Sequence, residues 1–157
     1  MVSASQPNGT PMRVFGLVIL SLSLLLSAAA QQPQSATAFT HADAEKIVRT
    51  LQDGLEGSDL KRFLSAFDHD QMINYGNFSD QVAALFARTD GFQVSLHVTN
   101  IDDAGDGRAN MMLDAQMEIV PRYAPRPDRR ETTLNVQVAK SAKGWRIVEI
   151  TPREFFY

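Results

Sequence analysis

Of the chain's 157 residues, the first thirty hold one Arg, no acid and a long apolar run, which leaves 127 residues for a folded unit. That length excludes two domains, while one domain of this size buries roughly two thirds of its unfolded surface. The net charge of −3 becomes −4 once Arg13 is set aside, and no basic tract offsets it, which argues against a nucleic-acid partner. Zero Cys excludes disulfides, thiolate metal sites, cysteine nucleophiles and lipidated cysteines.

Residues 1–30 read as a signal peptide. Arg13 closes a polar start, residues 14–27 are apolar, and Ala28, Ala29 and Ala30 supply the small side chains that a signal peptidase accepts. The alternative is a retained anchor, since the apolar run from Val14 to Ala30 sits at the lower limit for crossing a bilayer. The polar stretch that follows favours cleavage after Ala30. The expectation is therefore an exported protein, periplasmic or secreted, with no stable membrane anchor after cleavage. Residues 31–39 read as a disordered lead-in.

Thr40 as N-cap with Asp43 three residues on predicts a helix to about Glu56, ended by Gly57. Ala44, Ile47, Val48, Leu51 and Leu55 recur at helical spacing and mark its buried stripe. Ser58 is the expected cap of a second helix carrying Leu60, Phe63, Leu64 and Phe67. Residues 68–78 read as a turn-rich segment, with Asn77 or Ser79 capping a third helix that buries Val82, Leu85 and Phe86. From Phe92 the period changes to two. Phe92, Val94, Leu96 and Val98 mark one strand, Asp102–Gly107 a turn, and Ala109 to Ile119 a long second strand with alternate residues inward. Residues 121–128 form a Pro-rich hairpin loop, Leu134, Val136 and Val138 a third strand, Ser141–Gly144 a turn, and Trp145–Thr151 the fourth. The fold class is α+β: three N-terminal helices on a curved antiparallel sheet of about four strands, in one domain at residues 40–157.

This element order, the Gly144-Trp145-Arg146-Ile147 start of the last strand and the Asp- and Tyr-containing segment after the second helix resemble the nuclear transport factor 2-like superfamily. That is the cone fold of polyketide-cyclase-like and ketosteroid-isomerase-like proteins. The resemblance implies a pocket between the helices and the concave sheet face, and frequent dimerisation through the outer face. On that basis Phe63, Phe67, Tyr75, Met111, Leu113 and Trp145 are expected to line a ligand pocket. The resemblance implies no single activity, because the fold carries enzymes, binding modules and scaffolds. An isomerase would need an Asp base and a Tyr/Asp donor pair; Tyr75 matches the tyrosine, but no residue aligns to the base or the second acid.

The candidate catalytic residues are Asp70, Tyr75 and Glu149. Asp68, His69 and Asp70 beside Tyr75 could tune one another for acid–base work. Against this, Asp68 or Asp70 could simply organise a turn, with His69 in solvent and three consecutive side chains diverging. Strict alternation from Trp145 and Ile147 places Glu149 inward, whereas a bulge near Ile147 turns it outward and buries Val148 and Ile150. No metal and no cofactor are expected: His41, His69 and His97 lack metal-ligand spacing, and Asp102–Gly107 lacks two ligand positions of a calcium loop. Arg122, Arg126, Arg129 and Arg130 cluster at the Pro-rich loop, diluted by Asp128 and Glu131, and read as a solvated loop. The C-terminal Phe155, Phe156 and Tyr157 are expected to pack back on the cone.

Two functions compete. The first is a non-catalytic module that binds a small apolar ligand or acts as a dimeric scaffold. The second is a small cofactor-independent isomerase, cyclase or hydrolase using a pocket carboxylate as base. A homodimer through the outer sheet face is expected because Gln93, Ser95, Asn110, Met112, Gln116, Asn135 and Gln137 leave that face poor in charge.

Overall fold

The structure, a computed structural model, describes residues 38–124 and 126–157. The expected signal peptide and residues 31–37 of the expected lead-in lie outside the described residues. No described helix is long and apolar enough to cross a membrane.

Three helices precede four strands: α1 (His41–Glu56), α2 (Leu60–Leu64), α3 (Tyr75–Ala87), β1 (Thr89–Gly105), β2 (Arg108–Pro121), β3 (Asp128–Ser141) and β4 (Gly144–Thr151). A 3-10 turn at Arg153–Phe156 follows. The strands form one antiparallel meander in the order β1-β2-β3-β4. Helices on one face of a curved sheet make the α+β architecture that the sequence predicts.

α1 starts where the sequence places it, through a capping box. The Thr40 side chain accepts from the Asp43 N–H, and the Asp43 carboxylate accepts from the Thr40 N–H at 3.1 Å. Phe39, just before this cap, is buried edge-on against Trp145 with ring centroids 4.9 Å apart, so the end of the lead-in belongs to the core. Gly54 lets α2 come close, because a Cβ there would lie 2.5 Å from the Phe63 nitrogen. The cap of α2 is Asp59, not Ser58: its carboxylate accepts from the Arg62 N–H at 2.9 Å, while Ser58 takes a left-handed turn conformation. α3 begins at Tyr75 and not at Asn77 or Ser79, because Asn74 in left-handed geometry turns the chain into it. Ser79 instead donates to the Gly76 carbonyl inside the helix.

The β1–β2 turn is shorter than the sequence suggests. Asp102, Asp103 and Gly105 pair with Asn110, Ala109 and Arg108, leaving Asp106 and Gly107 as a two-residue loop. Both have positive φ (51° and 71°), as an Asp-Gly hairpin turn requires. Inward residues alternate as expected: Ala109, Met111, Leu113, Ala115, Met117 and Ile119 are all buried. In β4, Glu149 pairs with Gln137 but Ile147 pairs with Val138, so Val148 is an extra residue. That bulge lets Trp145, Ile147 and Ile150 all be buried despite their uneven spacing.

Two backbone hydrogen bonds attach the chain after α2 to β4: Ile147 N–H to the Ala66 carbonyl at 2.9 Å and Asp68 N–H to the Ile147 carbonyl at 2.8 Å. This contact places residues 66–70 beside the β3–β4 hairpin.

Candidate functional site

A cleft of about 960 Å³ opens between the end of α2, residues 65–70, the start of α3 and the β3–β4 hairpin. Leu60, Leu64, Phe67 and Tyr75 supply its apolar wall. Asp68, His69 and Asp70 also border it, as do the cations Lys61, Lys143 and Arg146. The cleft therefore combines an apolar surface with charges of both signs, a pattern suited to an amphipathic small molecule.

Asp68 is committed to the turn. Its Oδ1 accepts from the Asp70 N–H at 3.0 Å and the Gln71 N–H at 3.1 Å, and its Oδ2 from the Gln71 side-chain amide at 3.1 Å. The same turn folds Asp70 back, so the three consecutive side chains converge instead of diverging. His69 Nε2 lies 3.1 Å from Asp70 Oδ1, and one ligand-type atom from each of Asp68, His69 and Asp70 falls within 4.8 Å of the others. That set is a poor cation cage, because both Asp68 oxygens already accept hydrogen bonds and the other two residues are exposed. The His69 and Tyr75 rings meet edge-on at 6.2 Å. Partial burial raises the Tyr75 phenol above its usual pKa, so it remains a neutral donor at physiological pH.

Asp70 and Tyr75 thus share one cleft, and Glu149 does not. Glu149 sits across from Gln137 on the outer side of the bulge, in a bidentate ion pair with Arg153 at 2.8 Å to each oxygen. Arg153 also donates to the Ile73 carbonyl at 3.0 Å, which ties the loop before α3 to the C-terminal segment. Neither role was legible from alternation alone.

The expected pocket set divides in the same way. Phe67 and Tyr75 border the cleft. Phe63, Met111 and Leu113 are at most 1% exposed and pack in the closed core instead of walling a solvent-reached pocket. Phe63 lies among the Phe67, Phe86 and Phe156 rings, at 5.3, 6.0 and 5.4 Å. Trp145 is buried too, edge-on against Phe39, and does not border the cleft. Leu60, Leu64, Lys61, Lys143 and Arg146 were missed as site residues, since only tertiary packing brings the hairpin tip to α2.

The loop arginines are partly spoken for. Arg122 pairs with Asp90 at 2.9 Å, and Arg130 pairs with Asp128 while donating to the Glu154, Phe155 and Tyr157 carbonyls. Phe155 and Phe156 are buried, as the sequence predicts for the aromatic end. On the outer sheet face, pairing sets Arg129, Glu131 and Glu149 beside Glu118, Gln116 and Gln137, so that face carries more charge than its Gln, Asn and Ser residues suggest.

No protein-family model and no curated protein matches the chain. Solved structures do. A nuclear transport factor 2-like superfamily protein from Salmonella enterica is 13% identical with a TM-score of 0.60, covering 69% of this chain and 87% of that one. A ketosteroid isomerase-like protein from Erwinia carotovora is 12% identical with a TM-score of 0.57, covering 71% and 95%. A conserved protein from Planctomyces limnophilus is 13% identical with a TM-score of 0.62, covering 71% and 94%. At such identities the likeness shows the fold alone, and the fold is nuclear transport factor 2-like.

Proposed function

We propose that the chain is an exported, non-catalytic binding module whose cleft takes a small molecule with an apolar body and a polar end. The observation that carries this reading is the division of labour in the cleft. Leu60, Leu64, Phe67 and Tyr75 offer apolar contact, while the acid–base pair stays in water, with His69 and Asp70 side chains 69% and 79% exposed. General acid–base catalysis draws on groups held by desolvation and fixed partners, and a solvated pair lacks that setting. Tyr75 as a neutral donor and Lys61, Lys143 and Arg146 as cations are then recognition groups for the ligand's polar end.

The enzyme reading keeps one specific support: the Tyr75 phenol and the His69–Asp70 pair border the same cleft, on a fold shared with a ketosteroid isomerase-like protein. Asp70→Asn separates the two, since it removes a base but leaves the apolar wall. Native mass spectrometry of protein taken from its own host should find a retained small molecule that Leu64→Lys expels and Asp70→Asn keeps. A protein that carries nothing in either form would defeat the binding reading.

Export and self-association belong to the same proposal. Intact mass of the secreted fraction should begin at Gln31. The outer sheet face, with Met112 39% exposed among Asn110, Gln116, Asn135 and Gln137, is the proposed homodimer interface. Gln116→Lys with Asn135→Lys should yield a monomer by light scattering, and a monomeric unmutated protein would remove the dimer.

A further inference from the structure

On the α1 side of the β3–β4 hairpin lies a second, smaller depression of about 190 Å³. Four cations border it: Lys46 from α1, Lys140 at the end of β3, Lys143 in the turn and Arg146 in β4. Asp43 is its one carboxylate, and the capping box already occupies it, with Oδ2 accepting from the Thr40 N–H at 3.1 Å and from the Thr40 hydroxyl at 2.7 Å. None of the four cations has a carboxylate within ion-pair distance among the described residues. Trp145 borders the same depression, and its indole Nε1 is buried without a hydrogen-bond partner among the described residues. The Lys140 ammonium sits over the indole ring, 5.4 Å from its centroid.

We propose that this depression is a binding site for a small oxyanion of phosphate or sulfate size, held by Lys46, Lys140, Lys143 and Arg146. Four like charges gathered at one hollow create a local positive potential that an anion relieves. The size sets the ligand class: the volume equals that of about six liquid waters, enough for one tetrahedral anion and a few waters. The depression shares Lys143 and Arg146 with the cleft, but Lys46, Lys140 and Trp145 border only the depression and Lys61 only the cleft, so substitutions distinguish the two.

Trp145 is the chain's single tryptophan, so its emission reports on this site directly. Sodium phosphate titrated into the mature protein at constant ionic strength should give a saturable change in that emission. Lys46→Gln should raise the midpoint about tenfold and Lys46→Gln with Lys140→Gln further still, by calorimetry where Lys140 is changed, because that substitution alters the emission itself. Lys61→Gln, which touches only the cleft, should leave the midpoint in place. All three lysines are exposed, so circular dichroism of the variants should match the parent. The proposal is overturned by the absence of saturation up to about 10 mM phosphate, tenfold above a millimolar Kd. An equal response to sodium chloride, or a midpoint that moves with Lys61→Gln and not with Lys46→Gln, overturns it as well.

Discussion

The interior beneath the sheet and the cleft at the β3–β4 hairpin are built from the same aromatic and aliphatic residue types but end in opposite states. Under the sheet, Leu51, Phe63, Leu113 and Ile147 are wholly buried. At the hairpin, Leu60, Leu64, Phe67 and Tyr75 border a cleft beside exposed His69 and Asp70. The interior between helices and sheet, where the resemblance implies a pocket, is filled by Phe63, Met111 and Leu113, and the cleft lies at the edge. On the proposed function, stability and recognition are carried by different residues, and substitutions should separate them.

The largest effect belongs to the filled interior. Phe63→Ala should cost about 3–5 kcal/mol in urea unfolding, since the ring has aromatic neighbours on three sides and no solvent to replace it. A loss under about 1 kcal/mol would mean that the interior collapses around the gap, and the contrast with the cleft would weaken. Trp145→Ala should lie in the same range and should also loosen Phe39, read as faster proteolysis before α1. Gly54→Ala forces α1 and α2 apart and should cost roughly 1–3 kcal/mol, with the shift visible as weakened amide protection in α2. Removing the α1 cap with Thr40→Ala should cost about 1 kcal/mol.

Cleft substitutions should behave differently. Leu64→Lys should abolish ligand retention while moving the unfolding midpoint little, because Leu64 is only partly buried. Tyr75→Phe gives the smallest and most diagnostic effect. Burial raises the phenol's pKa in the folded state, so the unfolded chain ionises first as pH climbs past 10. Stability falls from there until the folded phenol ionises too. Tyr75→Phe should lack that part of the alkaline decline and match the parent below it, as read by urea midpoints between neutral pH and about pH 11. Identical alkaline slopes in both proteins would place Tyr75 fully in water.

Legibility followed the range of the physics involved. α1 was readable to the residue, because Thr40, Asp43, Gly57 and the Ala44–Leu55 stripe act within one helix length. The inward set of β2 was readable for the same reason: alternation is a property of each strand alone. The bulge in β4 was foreseeable as an inconsistency, since Trp145, Ile147 and Ile150 cannot share a face without an extra residue. The start of α3 was not, because the favoured caps at Asn77 and Ser79 lost to Asn74, which enters the helix in left-handed geometry with no side-chain cap bond to mark it.

By itself, then, the sequence determined the helix order, the meander, the apolar faces and the expectation of export, since each follows from local capping, periodicity or composition. Only the tertiary structure decided where the molecule opens. The Ala66–Asp68 backbone pairs with Ile147, some eighty residues later, and that pairing sets Asp68, His69 and Asp70 beside Lys143 and Arg146. Glu149 turns outward to Arg153 because the Val148 bulge shifts the strand phase. Contacts between segments so far apart depend on how the core volume is shared among helices and sheet, and no local pattern encodes that sum.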